Sequence, residues 1–308
     1  MSILVILSLL IGLPYTYTQI SSHQIENEYP PLGYFETIDN IKLHYTDEGS
    51  GQTVVLLHSQ PANERQFYLL KNQLKKNYRV ISIDRPGMGY SESLKDKSSN
   101  RLMAQAELTS KLIQKITDDK PVVIGHSYGG ALALAYALYD EKNIKGLITV
   151  NTASHPWKSD NIWLPFKIIT SPFIGKIFSN TYAMIYGKLG ISRTADENFP
   201  NNNPPINYIK NVGGELTLRP NTLQSYAYDA VNLKSALNIQ YSKYSSLKIP
   251  ITIIAGIGDR VTPNETHSFR LHEDVKHSLL IKVDGVEHSI PELRPDVIED
   301  ELLRILNM

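Results

Sequence analysis

Gly125-His126-Ser127-Tyr128-Gly129-Gly130 is the stretch that decides how this chain folds. Residues 121–125 before it read as a buried strand, and residues 128–139 after it, rich in Ala and Leu, read as a helix. A strand, a G-x-S-x-G turn and a helix in that order lift a serine hydroxyl above the ends of a sheet. The bend strains its central residue, and side chains larger than hydrogen clash beside it, which accounts for the glycines. The helix that follows aims its N-terminus at the same point and favours negative charge developing there.

The same rhythm extends on both sides of this turn. Two short strands, 33–37 and 41–46, flank the hairpin pair Asp39-Asn40. Strands at 53–58, 79–84 and 144–150 alternate with helical stretches at 65–76 and 101–117. Apolar strands without polar alternation are buried on both faces. Alternated with helices, they predict an α/β fold with a mostly parallel central sheet covered on both sides. From about 155 to 233 the rhythm stops in favour of Tyr, Pro, Asn and bulky apolar residues. It resumes with strands at 251–255 and 278–283 and helices near 265–273 and 292–306. The interval at 155–233 is therefore expected to be an insertion into one domain formed by 30–154 and 234–308.

Charge and composition narrow the function. Lys plus Arg and Asp plus Glu both number 31 in the 308 residues, so there is no global field to hold nucleic acid. Cysteine is absent, which rules out disulfides, thiolate metal sites and a cysteine nucleophile. The histidines lack a paired ligand spacing, so neither a metal nor an organic cofactor is expected. Residues 3–13 form an uncharged apolar run, shorter than the ~20 residues that span a bilayer but suited to a secretory signal. Thr16-Tyr17-Thr18 offers a cleavage site before Gln19, so residues 1–18 are expected to be a signal peptide and the protein secreted or held in the cell envelope, with an uncleaved membrane anchor or a buried N-terminal segment as the alternatives. Membrane contact is expected only through this segment or the insertion.

A serine hydroxyl needs a general base, and the base needs a group to orient it. Asp259 follows the strand at 251–255 and His288 follows the strand at 278–283, both at carboxyl ends, where open α/β sheets bind ligands. The order Ser127, Asp259, His288 is that of a strand–turn–helix nucleophile. Asp284 is the reserve acid, although its turn next to Gly285 suits a structural role better. His267 and His272 fall on a predicted helix, and His277 opens a strand at its wrong end. Negative charge on the attacked carbonyl is expected to meet the N–H of Tyr128 and one from Leu57-His58-Ser59-Gln60-Pro61, that of Gln60.

With these residues in place the chain resembles the α/β-hydrolase superfamily over nearly its whole length after residue 30. Asp84-Arg85-Pro86-Gly87-Met88-Gly89-Tyr90-Ser91 looks like that family's structural Asp-x-Pro-Gly-x-Gly-x-Ser turn. The resemblance implies that 155–233 is a helical cap over the active site. It departs from its relatives at His58-Ser59, where they usually carry His-Gly. Haloalkane dehalogenases and epoxide hydrolases of the superfamily use Asp as nucleophile, so Ser127 disfavours both.

The expected function is a serine hydrolase acting on a small acyl substrate, foremost a carboxylic ester. Other acyl or carbon–carbon bond hydrolases share the triad, among them thioesterases, perhydrolases and aminopeptidases. An aminopeptidase needs an acid to hold the substrate amine, for which Glu197 and Glu215 are candidates. A slow-turnover ligand sensor on the same fold is the non-enzymatic alternative.

Overall fold

The computed structural model of the chain describes residues 8–159 and 161–308, with the backbone alone for 194 and 195. Asp39 and Asn40 take φ values of 49° and 61°, the two positive angles that a two-residue hairpin turn requires. The turn joins β1 (Tyr34–Ile38) to β2 (Ile41–Glu48) with Ile38 opposite Ile41. Six more strands follow: β3 (Thr53–Leu57), β4 (Arg79–Ile83), β5 (Val122–His126), β6 (Gly146–Val150), β7 (Ile251–Gly256) and β8 (Leu279–Val283). They form one sheet in the order β1-β2-β4-β3-β5-β6-β7-β8. The β1, β2 and β4 pairings are antiparallel, and the rest are parallel.

The helices are α1 (Leu13–Glu28), α2 (Tyr68–Leu74), α3 (Arg101–Ile116), α4 (Tyr128–Asp140), α5 (Leu164–Ile169), α6 (Ile174–Ser179), α7 (Ala183–Glu197), α8 (Tyr208–Asn211), α9 (Pro220–Gln240), α10 (Ser268–Asp274), α11 (Ile290–Leu293) and α12 (Pro295–Leu306). Alternate residues of the inner strands supply two cores. Val55 and Leu57 of β3 pack with Leu112 of α3 and Leu134 of α4. Val54 and Leu56 point the other way, onto Leu70 of α2 and Leu302 of α12. Both faces of the inner strands are thereby dry, as the unbroken apolar runs predict, while the edge strands β1 and β8 are largely exposed.

Three segments differ from the sequence expectation. The helix at 65–76 begins as a 3₁₀ turn, Glu64–Phe67, before α2. The closing helix is two helices, because Pro295 pushes Arg294 out of helical geometry to φ −136°, ψ 54°. And α9 runs unbroken through the expected boundary at 233, its first turns above the strand ends and its last, with Ala236 and Leu237, in the core.

The helices α5 to α9 all lie between β6 and β7. Against them packs α1, which crosses the expected cleavage position as a continuous helix. Thr18 is fully buried and donates to the Thr181 carbonyl at 2.8 Å, while the Tyr182 hydroxyl donates to the Leu10 carbonyl at 2.7 Å. Ile25 and Tyr29 pack on Met184, Leu216 and Leu218. The first part of the apolar run, residues 3–7, lies outside the described residues.

Candidate active site

Ser127 links β5 to α4 with φ 55° and ψ −115°, a conformation costly to any residue with a Cβ and sustained here by the surrounding contacts. A Cβ on Gly129 would lie 2.0 Å from the Leu57 carbonyl oxygen, and one on Gly125 would lie 2.3 Å from that of Gly129. The turn therefore closes only with glycine at these positions. Ser127 N–H donates to the Val150 carbonyl, which ties the bend to β6.

Asp259 and His288 meet as their positions predict. His288 Nδ1 lies 2.8 Å from Asp259 Oδ2. The other carboxylate oxygen accepts the N–H groups of Val261 and Thr262, and Oδ2 also takes the Thr262 hydroxyl. Burial works to raise the Asp259 pKa, but the bonds from His288 and Thr262 outweigh it and hold the carboxyl below its usual range. Asp259 is thus an anion that fixes the His288 ring and leaves its Nε2 for proton transfer. Among the described residues no hydrogen bond joins the Ser127 hydroxyl to His288.

The neighbouring His126 is part of the frame around this pair. Its ring lies 4.8 Å from that of His288, and its Nε2 donates to the His288 carbonyl at 2.9 Å. Burial and the adjacent His288 push its pKa down to about 3, so it is neutral. Its Nδ1 receives the amide of Gln66 at 2.9 Å. Gln66 also donates to Glu292 and accepts the Ser59 N–H at 2.8 Å. One side chain thereby joins the loop after β3, the nucleophile turn and the helix after His288. Asn151, at φ 44°, adds a second tie: its amide donates to the Glu287 and His288 carbonyls, and its oxygen accepts Gly256 N–H.

A buried guanidinium joins the two segments that carry the expected oxyanion donors. Arg85 donates to the His58 and Ser59 carbonyls at 3.1 and 3.2 Å and lies over the Tyr128 ring at 4.2 Å. Asp229 of α9 pairs with it at 3.3 Å and with Arg101 at 2.8 Å. The Ser59 N–H is taken by Gln66, whereas the Gln60 N–H makes no hydrogen bond among the described residues. Gln60 instead anchors its side chain on the Tyr226 carbonyl of α9 at 2.7 Å. Tyr128 opens α4, where first-turn N–H groups have no intrahelical acceptor.

A cavity of about 950 Å³ opens beside these groups. Ser59, Gln60, His126 and His288 form its floor, and Trp163, Phe166, Ile169, Phe178, Tyr186, Leu223 and Tyr226 contribute apolar walls from the helices above. The remaining candidates lie elsewhere or are already engaged. Asp284 is exposed in a turn. His267 accepts the Ser154 N–H, His272 bonds Ser278, and His277 bonds the Ile249 carbonyl. Glu197 lines the cavity but is bonded to Arg193 at 3.2 Å, and Glu215 lies 3.9 Å from Lys188. The Asp84 turn is structural: its carboxylate accepts the Glu64 and Tyr90 N–H groups and bonds His44.

Residues 52–170 match the family model for the alpha/beta hydrolase fold. Over that stretch the chain is similar to the α/β-hydrolase superfamily, and its described structure has the α/β-hydrolase fold. A proline iminopeptidase of Saccharolobus solfataricus is 37% identical over 107 residues, which cover 34% of this chain and 34% of that protein. The match thus spans about a third of that relative's length. An uncharacterized hydrolase of Bacillus subtilis, YugF, is 22% identical over 86% of this chain and 94% of its own. Among solved structures, a thermophilic esterase from Thermogutta terrifontis superposes with a TM-score of 0.66 at 21% identity, covering 86% of this chain and 94% of that one.

Proposed function

We propose that the protein is a serine hydrolase that cleaves carboxylic esters through an acyl-enzyme. The observation that carries this reading is the Asp259–His288 pair beside a strained serine turn, with His126 and His288 lining a largely apolar cavity. Ser127 Oγ attacks the ester carbonyl carbon while its proton passes to His288 Nε2. The tetrahedral oxyanion accepts the N–H groups of Tyr128 and Gln60. Collapse breaks the carbon–oxygen bond, and His288 returns the proton to the departing alcohol. Water then attacks the acyl-serine as His288 takes its proton, and the acid leaves with Ser127 restored.

An ester is favoured over an aminoacyl amide because the cavity walls are mainly apolar. Glu197 pairs with Arg193, whereas Glu292 bonds Gln66 and Tyr208 through one carboxylate oxygen and keeps the other unpartnered among the described residues. The likeness to a proline iminopeptidase keeps prolyl amides on the assay panel. Ser127→Ala and His288→Ala should each lower kcat by up to ~10⁶, and Asp259→Asn by ~10⁴, with folding retained. Multiple-turnover assays on esters, thioesters and aminoacyl amides test this. Near-normal turnover in Ser127→Ala ends the assignment, and a stoichiometric burst without turnover makes the protein a sensor.

For localisation, the uncharged run at 3–13 supports export, with the mature chain beginning near Gln19. Intact mass of protein from its native host reads this directly, and a full-length cytosolic form refutes it.

A further inference from the structure

The helices above the cavity hold large apolar side chains out in water. Phe173, just before α6, is 85% exposed, Ile174 64%, and Leu189 on α7 80%. Single exposed apolar residues are ordinary, but such a density on neighbouring helices marks a surface that is covered in use. The helices pack on one another. Phe178 of α6 stacks on Tyr186 of α7 with ring centroids 6.4 Å apart, and a Cβ on Gly175 would lie 2.0 Å from the Ile169 carbonyl oxygen of α5.

Charge identifies what covers them. α5 and α6 carry Lys167 and Lys176 and no Asp or Glu, while α7 carries Lys188 and Arg193 with Asp196 and Glu197 at its end. Lys188 and Arg193 lie near Glu215 and Glu197. Lys167 and Lys176 are exposed and have no ion pair among the described residues. Exposed lysines among exposed apolar side chains fit a layer of anionic headgroups.

We infer that α5, α6 and α7 dock on an anionic lipid bilayer, which sets the cavity walls formed by Trp163, Phe178 and Tyr186 next to the lipid. Among the described residues no helix is long and apolar enough to cross a membrane, and the contact inferred is that of a surface lying on lipid.

Flotation of the full chain with vesicles tests this without any assay of turnover. The protein should float with vesicles of phosphatidylcholine mixed with phosphatidylserine, and on the order of tenfold less with phosphatidylcholine alone. The double change Phe173→Ser, Ile174→Ser should abolish flotation. Lys167→Glu with Lys176→Glu should weaken it by on the order of tenfold at low salt. All four positions are exposed, so thermal unfolding of both variants should match the parent. Undiminished flotation of the Phe173/Ile174 variant means that the N-terminal segment alone holds the lipid, and the inference fails. Equal binding to both vesicle types overturns it, as does a parent that is dimeric without lipid and becomes monomeric on the same change, since a second copy then covers the surface.

Discussion

Arg85 and Arg101 are among the largest fully buried side chains in the described structure, and both rely on the single carboxylate of Asp229. A buried pair adds little when intact, because desolvation offsets most of its attraction, but losing one partner strands a charge without water. Asp229→Ala should therefore lower unfolding free energy by about 3–5 kcal/mol in urea titration. Asp296→Ala, which breaks the exposed pair with Arg294, should cost less than about 1 kcal/mol. Equal costs would show that the buried cluster is hydrated. The Asp229 variant should also slow turnover, since Arg85 holds the His58 and Ser59 carbonyls. Asp229→Glu should restore part of both properties. Neither this cluster nor Gln66 could be read from the sequence, because their partners are distant along the chain: Asp229 lies 144 residues from Arg85, and Glu292 lies 226 from Gln66. Ser127 was legible because its strain, its glycines and its flanking elements are all local.

At the scale of elements, the sequence was most readable where burial leaves one solution. The inner strands carry unbroken apolar runs and are legible to within about a residue or two, and Asp39-Asn40 marks its hairpin. The strands that Asp259 and His288 follow are legible in the sequence, and the structure brings the two side chains to 2.8 Å. The region above the sheet is less legible, since its short helices lack a clean apolar stripe and divide their apolar residues among three roles. Trp163, Phe166, Phe178 and Tyr186 line the cavity, Met184 packs on α1, and Phe173 and Ile174 face water. Only the first group should set acyl preference. Each methylene buried between them is worth ~0.8 kcal/mol, so KM should fall roughly fourfold per added carbon until the cavity is full. Phe166→Ala with Phe178→Ala should flatten that chain-length profile more than it changes the rate on acetyl esters. A profile that keeps its shape while all rates drop together would assign those rings to packing.

The whole molecule is built around uncharged histidines. Burial drives the pKa of His58 and His126 down to about 3 and that of His267 to about 4, against 6.5 for an ordinary imidazole. Below 6.5 the unfolded chain binds protons that the folded chain refuses, so their contribution is intact above that pH and drains away as pH falls toward the folded values. Each should cost about 2 kcal/mol at pH 5. Glu292, raised by burial, and His44, raised by Asp84 against the pull of burial, have the opposite sign and offset part of the loss. Urea midpoints should therefore drop sharply between pH 7.5 and pH 5, with protons taken up on unfolding, and equal midpoints would contradict the buried neutral rings.

The continuity of α9 bears on any attempt to give this protein the roof of a relative. A graft joined at 233 would sever a 21-residue helix between the turns that wall the cavity and the turns that belong to the sheet's own core. Donor and host would each arrive with half a beam, and the Asp229 end of the Arg85 pair would come from the donor. A chimera spliced at Arg219, where the chain is extended before Pro220, keeps the beam whole and leaves the host's own carboxylate under its own guanidinium.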